Sequence, residues 1–148
     1  AGKKSWRVSS TVDTPAAPVA IDAPESGPRQ NTAWIYYSDA RSGKLWRVRA
    51  NGSERTQVTT DAATRDVSPH VSPDGRWVVY AAAPANVPAG RDSDLEIRLI
   101  PVGANGVPNV AGTLLAAKPH GGAASLAFNP WSSDSRSFAF VSTEPGRN

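Results

Sequence analysis

The residues of this protein best suited to chemistry are few and scattered. Asp92-Ser93-Asp94 places two carboxylates two positions apart in a polar loop behind Arg91, a spacing that could offer oxygen ligands to calcium. A hard cation wants six or more oxygens, and this loop names only a few, so calcium is a possibility and turn chemistry is the expected role of Asp92 and Asp94. The two histidines, His70 and His120, each follow a proline and lie far apart without a carboxylate neighbour that would complete a zinc or manganese set. No Gly-x-Ser-x-Gly elbow occurs, and Gly121-Gly122 lacks the Lys-Ser/Thr of a phosphate-cradling loop. The sequence therefore predicts no catalytic residues and no metal ligands. It offers Arg41, Arg91, Asp92, Asp94, His70 and His120 as candidate binding residues, because loops on a rigid scaffold are where recognition is usually carried.

The scaffold is read from composition. Of 148 residues, 39% are hydrophobic, and among the larger aliphatics Val (14) outnumbers Leu (6), with five Trp, three Tyr and three Phe. β-Branched and aromatic residues fit pleated strands better than helices. Thirteen Pro and twelve Gly interrupt nearly every helical stripe; one window, with Ala33, Tyr36, Tyr37 and Ala40 at helical spacing, would leave Trp34 and Ile35 on its outer face and reads better as a strand. The expected fold class is all-β.

Net charge is +3, from 12 Arg and four Lys spread without a run, which argues against a nucleic-acid footprint. There is no cysteine, so no disulfide or thiolate chemistry, and no apolar run approaches the roughly 20 residues of a membrane span. Methionine is absent even at position 1, from which processing or excision from a longer protein is expected.

The strongest local signal is SPHVSPDGRWVVY at 68–80. Ser72-Pro73-Asp74-Gly75 predicts a tight hairpin turn: Pro73 presets φ, Asp74 tolerates the third position and Gly75 takes the left-handed conformation that closes it. The run Trp77-Val78-Val79-Tyr80-Ala81-Ala82 does not alternate, so both its faces must be covered. Ala33-Trp34-Ile35-Tyr36-Tyr37 and Phe138-Ala139-Phe140-Val141 invite the same reading. The three runs stand roughly 43 and 60 residues apart, near the period of about 40–50 that marks propeller blades.

SPHVSPDGRWVVYAA resembles the signature of TolB-like β-propeller repeats, a WD-repeat-like family, and IYYSDARSGKLWRVRANGSERTQVT resembles the rest of such a repeat. The resemblance spans residues 33 to 142. It implies blades of four antiparallel strands, of which only two to three are present, so an open arc or part of a larger ring. Residues 33–67 would be a partial blade, 68–122 a full blade, and 123–148 the first two strands of another. Residues 1–32 would be an N-terminal strand (Lys4 to Val12, the outer strand of a preceding blade) or a proline-rich linker. In the last unit Ser133 and Ser135 stand where Pro73 and Gly75 stand in the second, which predicts a reshaped turn there. Trp34 and Trp77 hold equivalent places and are expected to pack between blades.

Three functions follow from the resemblance. The first is a non-catalytic binding or scaffold segment of an exported protein, periplasmic or secreted, that engages a protein partner or the further copies or chains completing the ring. The second is the propeller of a peptidase or polysaccharide lyase whose catalytic part lies elsewhere. The third is a self-assembling structural protein whose open ends stack.

Overall fold

The structure is a computed structural model that describes residues 6–10, 33–126 and 128–143. It is all-β, an open series of antiparallel sheets with no α-helix among the described residues. The strands are β1 (Trp6–Ser10), β2 (Trp34–Asp39), β3 (Lys44–Arg49), β4 (Thr56–Gln57), β5 (Thr64–Val71), β6 (Trp77–Pro84), β7 (Ser93–Asp94), β8 (Glu96–Pro101), β9 (Leu114–Ala117), β10 (His120–Gly121) and β11 (Ala139–Thr143). A first sheet runs β2-β3-β4, a second β5-β6-β8-β9 and a third β1-β11, with the short pair β7-β10 bridging beside them. β5 opens at Thr64, four positions ahead of the expected unit boundary at 68.

β6 is buried along its length up to Ala83, and its alternate side chains divide between two cores. Val78, Tyr80 and Ala82 join Leu45, Val58 and Ile100 against the first sheet. Trp77, Val79 and Ala81 join Ile97, Leu99, Leu126, Trp131, Phe138 and Phe140 against the third. Each Val, Leu, Ile or Phe among them contributes about 1.5–3 kcal/mol of transfer free energy when fully buried. The doubly apolar strand is thus a strand with sheets on both sides.

β5 tolerates Pro69 because it is an edge strand, where a missing N–H forfeits no ladder bond. A register shift between Val67 and His70, with Ser68 at φ 55, turns His70 toward Leu126. The turn after β5 forms as its residues dictate: Gly75 has φ 75 and its amide donates to the Ser72 carbonyl at 2.8 Å. Ser72 Oγ donates to Asp74 Oδ1 at 2.6 Å, and the Asp74 carboxylate accepts from the Arg76 amide at 3.0 Å.

The second such turn is not reshaped. Ser135 adopts φ 61 in place of glycine, and Ser132, Asp134 and Arg136 repeat the same bonds at 2.6 and 3.0 Å. Its compensation is a bond that glycine could not make: Ser135 Oγ accepts from the Asp74 amide at 3.0 Å, tying the two turns together.

Two further expectations are corrected. The strand at Trp6–Ser10 is not the outer strand of a preceding unit; it pairs antiparallel with β11, Val8 opposite Val141. Ala123–Leu126 is a turn of 3-10 helix. Phe138–Val141 is not covered on both sides: Phe138 only bridges Trp131, Phe140 is buried and Ala139 is exposed, because no further sheet stacks beyond the third among the described residues. The proline-rich stretch from Thr14 to Pro28 lies outside the described residues.

Candidate functional site

Four of the candidate binding residues are brought together where β7 meets β10. These two-residue strands pair His120 with Asp94 and Gly121 with Ser93, and Leu95 donates to the Pro119 carbonyl at 2.8 Å. His120 Nδ1 lies 2.9 Å from Asp94 Oδ1. The His120 amide donates to Ser142 Oγ at 3.2 Å, and its carbonyl accepts from Thr143 Oγ1 at 3.1 Å, fixing the histidine to β11. Asp92 lies over Gly122: a Cβ at that glycine would come 3.1 Å from Asp92 Oδ1. Arg91, exposed beside it, is held through its amide, which donates to Pro88 at 3.2 Å.

This cluster ties two loops together, and its geometry differs from that of a Ser-His-Asp set. In a Ser-His-Asp set the carboxylate is buried and orients the imidazole toward a nucleophile. Here the Asp94 side chain is 91% exposed and His120 the more covered at 27%. Asp92 and Asp94 turn to different partners, and among the described residues no three His, Asp or Glu side chains gather as a metal site.

His70 and Arg41 lie elsewhere. A carbonyl can only accept, so His70 Nε2 donates to the Leu126 carbonyl at 2.7 Å, while Trp131 Nε1 donates to the His70 carbonyl at 3.0 Å. His70 therefore stitches the second sheet to the 3-10 turn and the Trp131–Phe138 bridge that precede β11. Arg41 projects from the exposed β2–β3 turn, which Asp39 closes by accepting from the Ser42 amide at 2.9 Å and hydroxyl at 2.7 Å. Those bonds, the Ser42 hydroxyl foremost, hold the Asp39 carboxyl below its ordinary 3.8.

Arg65, which sequence reasoning passed over, connects these zones. Its Nη1 donates to the Val87 carbonyl at 2.8 Å while its Cγ lies 3.4 Å from where a Gly43 Cβ would stand. It thereby joins the β2–β3 turn to the long β6–β8 loop. Nothing in the spacing of the sequence marks it, since an arginine opening a strand reads as a solvated end.

Arg47, Arg49 and Arg55 gather on aromatic rings of the first sheet. The guanidiniums of Arg47 and Arg49 sit 3.8 and 4.0 Å from the Trp34 ring, and Arg55 sits 4.6 Å from Trp46 while donating to Tyr37 Oη at 2.7 Å. Such a contact adds about 0.5–1 kcal/mol at an exposed site such as that of Arg55, and more where the cation is buried, as Arg47 is. Between the first two sheets is a cavity of about 160 Å³ lined by Trp34, Tyr36, Val71, Gly75, Val102 and Gly106. Burial raises the Tyr36 hydroxyl above its ordinary 10.0, opposed by Arg47 beside it.

Among the described residues no sheet covers the first sheet's outward face, where Arg55 lies over Trp46 and bonds Tyr37. Ile35 is 51% exposed, and Tyr37, Trp46 and Val48 are half-buried. Trp34 and Tyr36, on the other face, approach the second sheet, so among the described residues β2 is not covered on both sides as its composition suggested.

No family model matches the sequence. Over 123 residues it is 32% identical to an uncharacterized protein of Agrobacterium fabrum, an alignment covering 81% of this chain and 39% of that protein. A solved structure from Agrobacterium tumefaciens, of a protein provisionally named TolB, superposes with a TM-score of 0.59 at 32% identity, covering 76% of this chain and 39% of the other. The fold is TolB-like. This chain spans 39% of the length of each of these relatives, and its TolB-like sheets place the Asp94–His120 clasp at the joint between the second and third. No helix among the described residues is long and apolar enough to cross a membrane.

Proposed function

We propose that this protein is a non-catalytic docking segment of an exported TolB-like protein, periplasmic or secreted, whose sheets are consecutive blades of an incomplete propeller. One observation carries the reading: the face of the first sheet that no described sheet covers is the counterpart of a covered one. In the first sheet Ile35 pairs with Val48 and Tyr37 with Trp46; in the second, Val78 pairs with Ile100 and Tyr80 with Arg98. Val78, Tyr80 and Ile100 of the second set lie in the core shared with the first sheet. The same positions at the open end, still aromatic and aliphatic, suit a protein surface laid against them, either a partner or further copies or chains that extend the arc.

The test is Ile35→Glu. Wild-type protein is expected to gain mass with concentration in sedimentation, or to bind a protein from its native source in a complex that Ile35→Glu abolishes while its melting temperature stays put. A wild type that remains monomeric and yields the same partners as the variant would overturn the reading.

A further inference from the structure

Two Asn-Gly dipeptides occupy corresponding turns, Asn51-Gly52 after β3 and Asn105-Gly106 after β8. We propose that Asn51 is a site of spontaneous deamidation, and that Asn105 is protected from the same reaction by its surroundings. In this reaction solvent hydroxide takes the proton of the Gly52 amide, and that nitrogen attacks Cγ of Asn51. The new N–C bond closes a succinimide, the bond between Cγ and Nδ2 breaks, and the nitrogen leaves as ammonia with a proton from water. A second water then opens the ring at either carbonyl, giving aspartate or isoaspartate.

The attack places negative charge on Asn51 Oδ1. That oxygen already accepts from the Ser53 amide at 3.0 Å and from the Ser53 hydroxyl at 2.6 Å, two donors aimed where the charge develops. Asn105 Oδ1 accepts from the Val107 amide at 3.0 Å, and the valine has no hydroxyl to add.

Ring closure also needs the glycine to move. Around Gly52 there is open space, with nothing within 4 Å of a Cβ position, and Asn51, Gly52 and Ser53 are all exposed. Gly106 is half-buried, its Cα side faces Trp34 Nε1, and its carbonyl accepts from Arg47 Nη1 at 2.7 Å. Both glycine amides donate backward within their turns, to Arg49 at 2.8 Å and Gly103 at 2.9 Å, so that restraint is shared and cancels in the comparison. What differs is the hydroxyl and the anchoring. The product would put a carboxylate into the turn closed by the Arg49–Glu54 ion pair, and an isoaspartate would lengthen the backbone there.

The experiment is peptide mapping by mass spectrometry after incubation of the purified protein in mildly alkaline buffer made with heavy-oxygen water, which labels only newly formed carboxylates. Asn51 is expected to convert roughly tenfold faster than Asn105, the ratio that a hydrogen bond's worth of stabilisation gives. Ser53→Ala should slow Asn51 roughly two- to tenfold and leave Asn105 unchanged, and Ser53→Thr should restore the rate. Equal rates at the two asparagines, or a Ser53→Ala variant that converts as fast as wild type or faster, would overturn the assignment. Neither result bears on the docking face.

Discussion

Ser135 allows a backbone strain and a hydrogen bond to be separated experimentally. Its φ of 61 is left-handed, which costs a non-glycine residue about 1–2 kcal/mol, and its hydroxyl accepts from the Asp74 amide at 3.0 Å. Ser135→Ala keeps the strain and loses the bond, for a net loss of about 0.5–1.5 kcal/mol. Ser135→Gly loses the same bond but sheds the strain, less the roughly 0.4–1 kcal/mol by which glycine widens the unfolded ensemble. It should therefore lie within about 0.5 kcal/mol of wild type and above the alanine variant. Gly75→Ala is the companion measurement: φ is 75 and a Cβ there meets nothing within 4 Å, so its cost is backbone strain without a clash, about 1 kcal/mol. Urea unfolding of the three variants, with fluorescence and circular dichroism required to coincide, gives the ordering. An alanine variant as stable as wild type would refute the bridging bond, and a glycine variant less stable than alanine would refute the strain.

Leu45 is fully buried between the first two sheets, so Leu45→Ala should cost about 2–5 kcal/mol in the same urea assay. Ile35→Glu, on the first sheet's outward face, should change stability by no more than about 0.5 kcal/mol while abolishing association in sedimentation. Asp39 and Asp134 have carboxyls held below the ordinary 3.8, chiefly by the Ser42 and Ser132 hydroxyls; their contribution is intact above 3.8 and lost as pH falls through the lower folded values, so Asp39→Asn should make acid destabilisation shallower in urea midpoints taken against pH. Burial raises Tyr36 and Tyr80 above 10.0, so their contribution is intact below 10.0 and lost as pH climbs through the raised values; Tyr36→Phe should flatten the alkaline limb of the same profile.

The parts of the fold legible in the sequence were those whose cause is local. Ser72-Pro73-Asp74-Gly75 fixes its own turn, and β6 declares its two covered faces by failing to alternate. What escaped the reading depends on partners distant in sequence. Ser135 looked like a defect because its compensation, the Asp74 amide, belongs to another sheet's turn. The pairing of β1 with β11 joins strands separated by nearly the whole protein, and neither carries a signal for the other. The His120–Asp94 contact depends on a two-residue bridge too short for any periodicity to reveal, which is why both residues could be nominated as candidates but not as neighbours.

The first sheet shows where such reading stops. Trp34-Ile35-Tyr36-Tyr37 is apolar on both faces, and apolarity alone says that both should be covered. One face meets Leu45's neighbours on the second sheet; the other carries Ile35 into solvent. Covering and exposure are properties of what stands opposite, whereas the side chains record only what the strand was built to meet. Because Ile35 and Tyr37 occupy the register of Val78 and Tyr80, the exposed face carries the composition of an interior one, and a surface laid against it would bury aromatic and aliphatic area on the same terms as the second sheet's core.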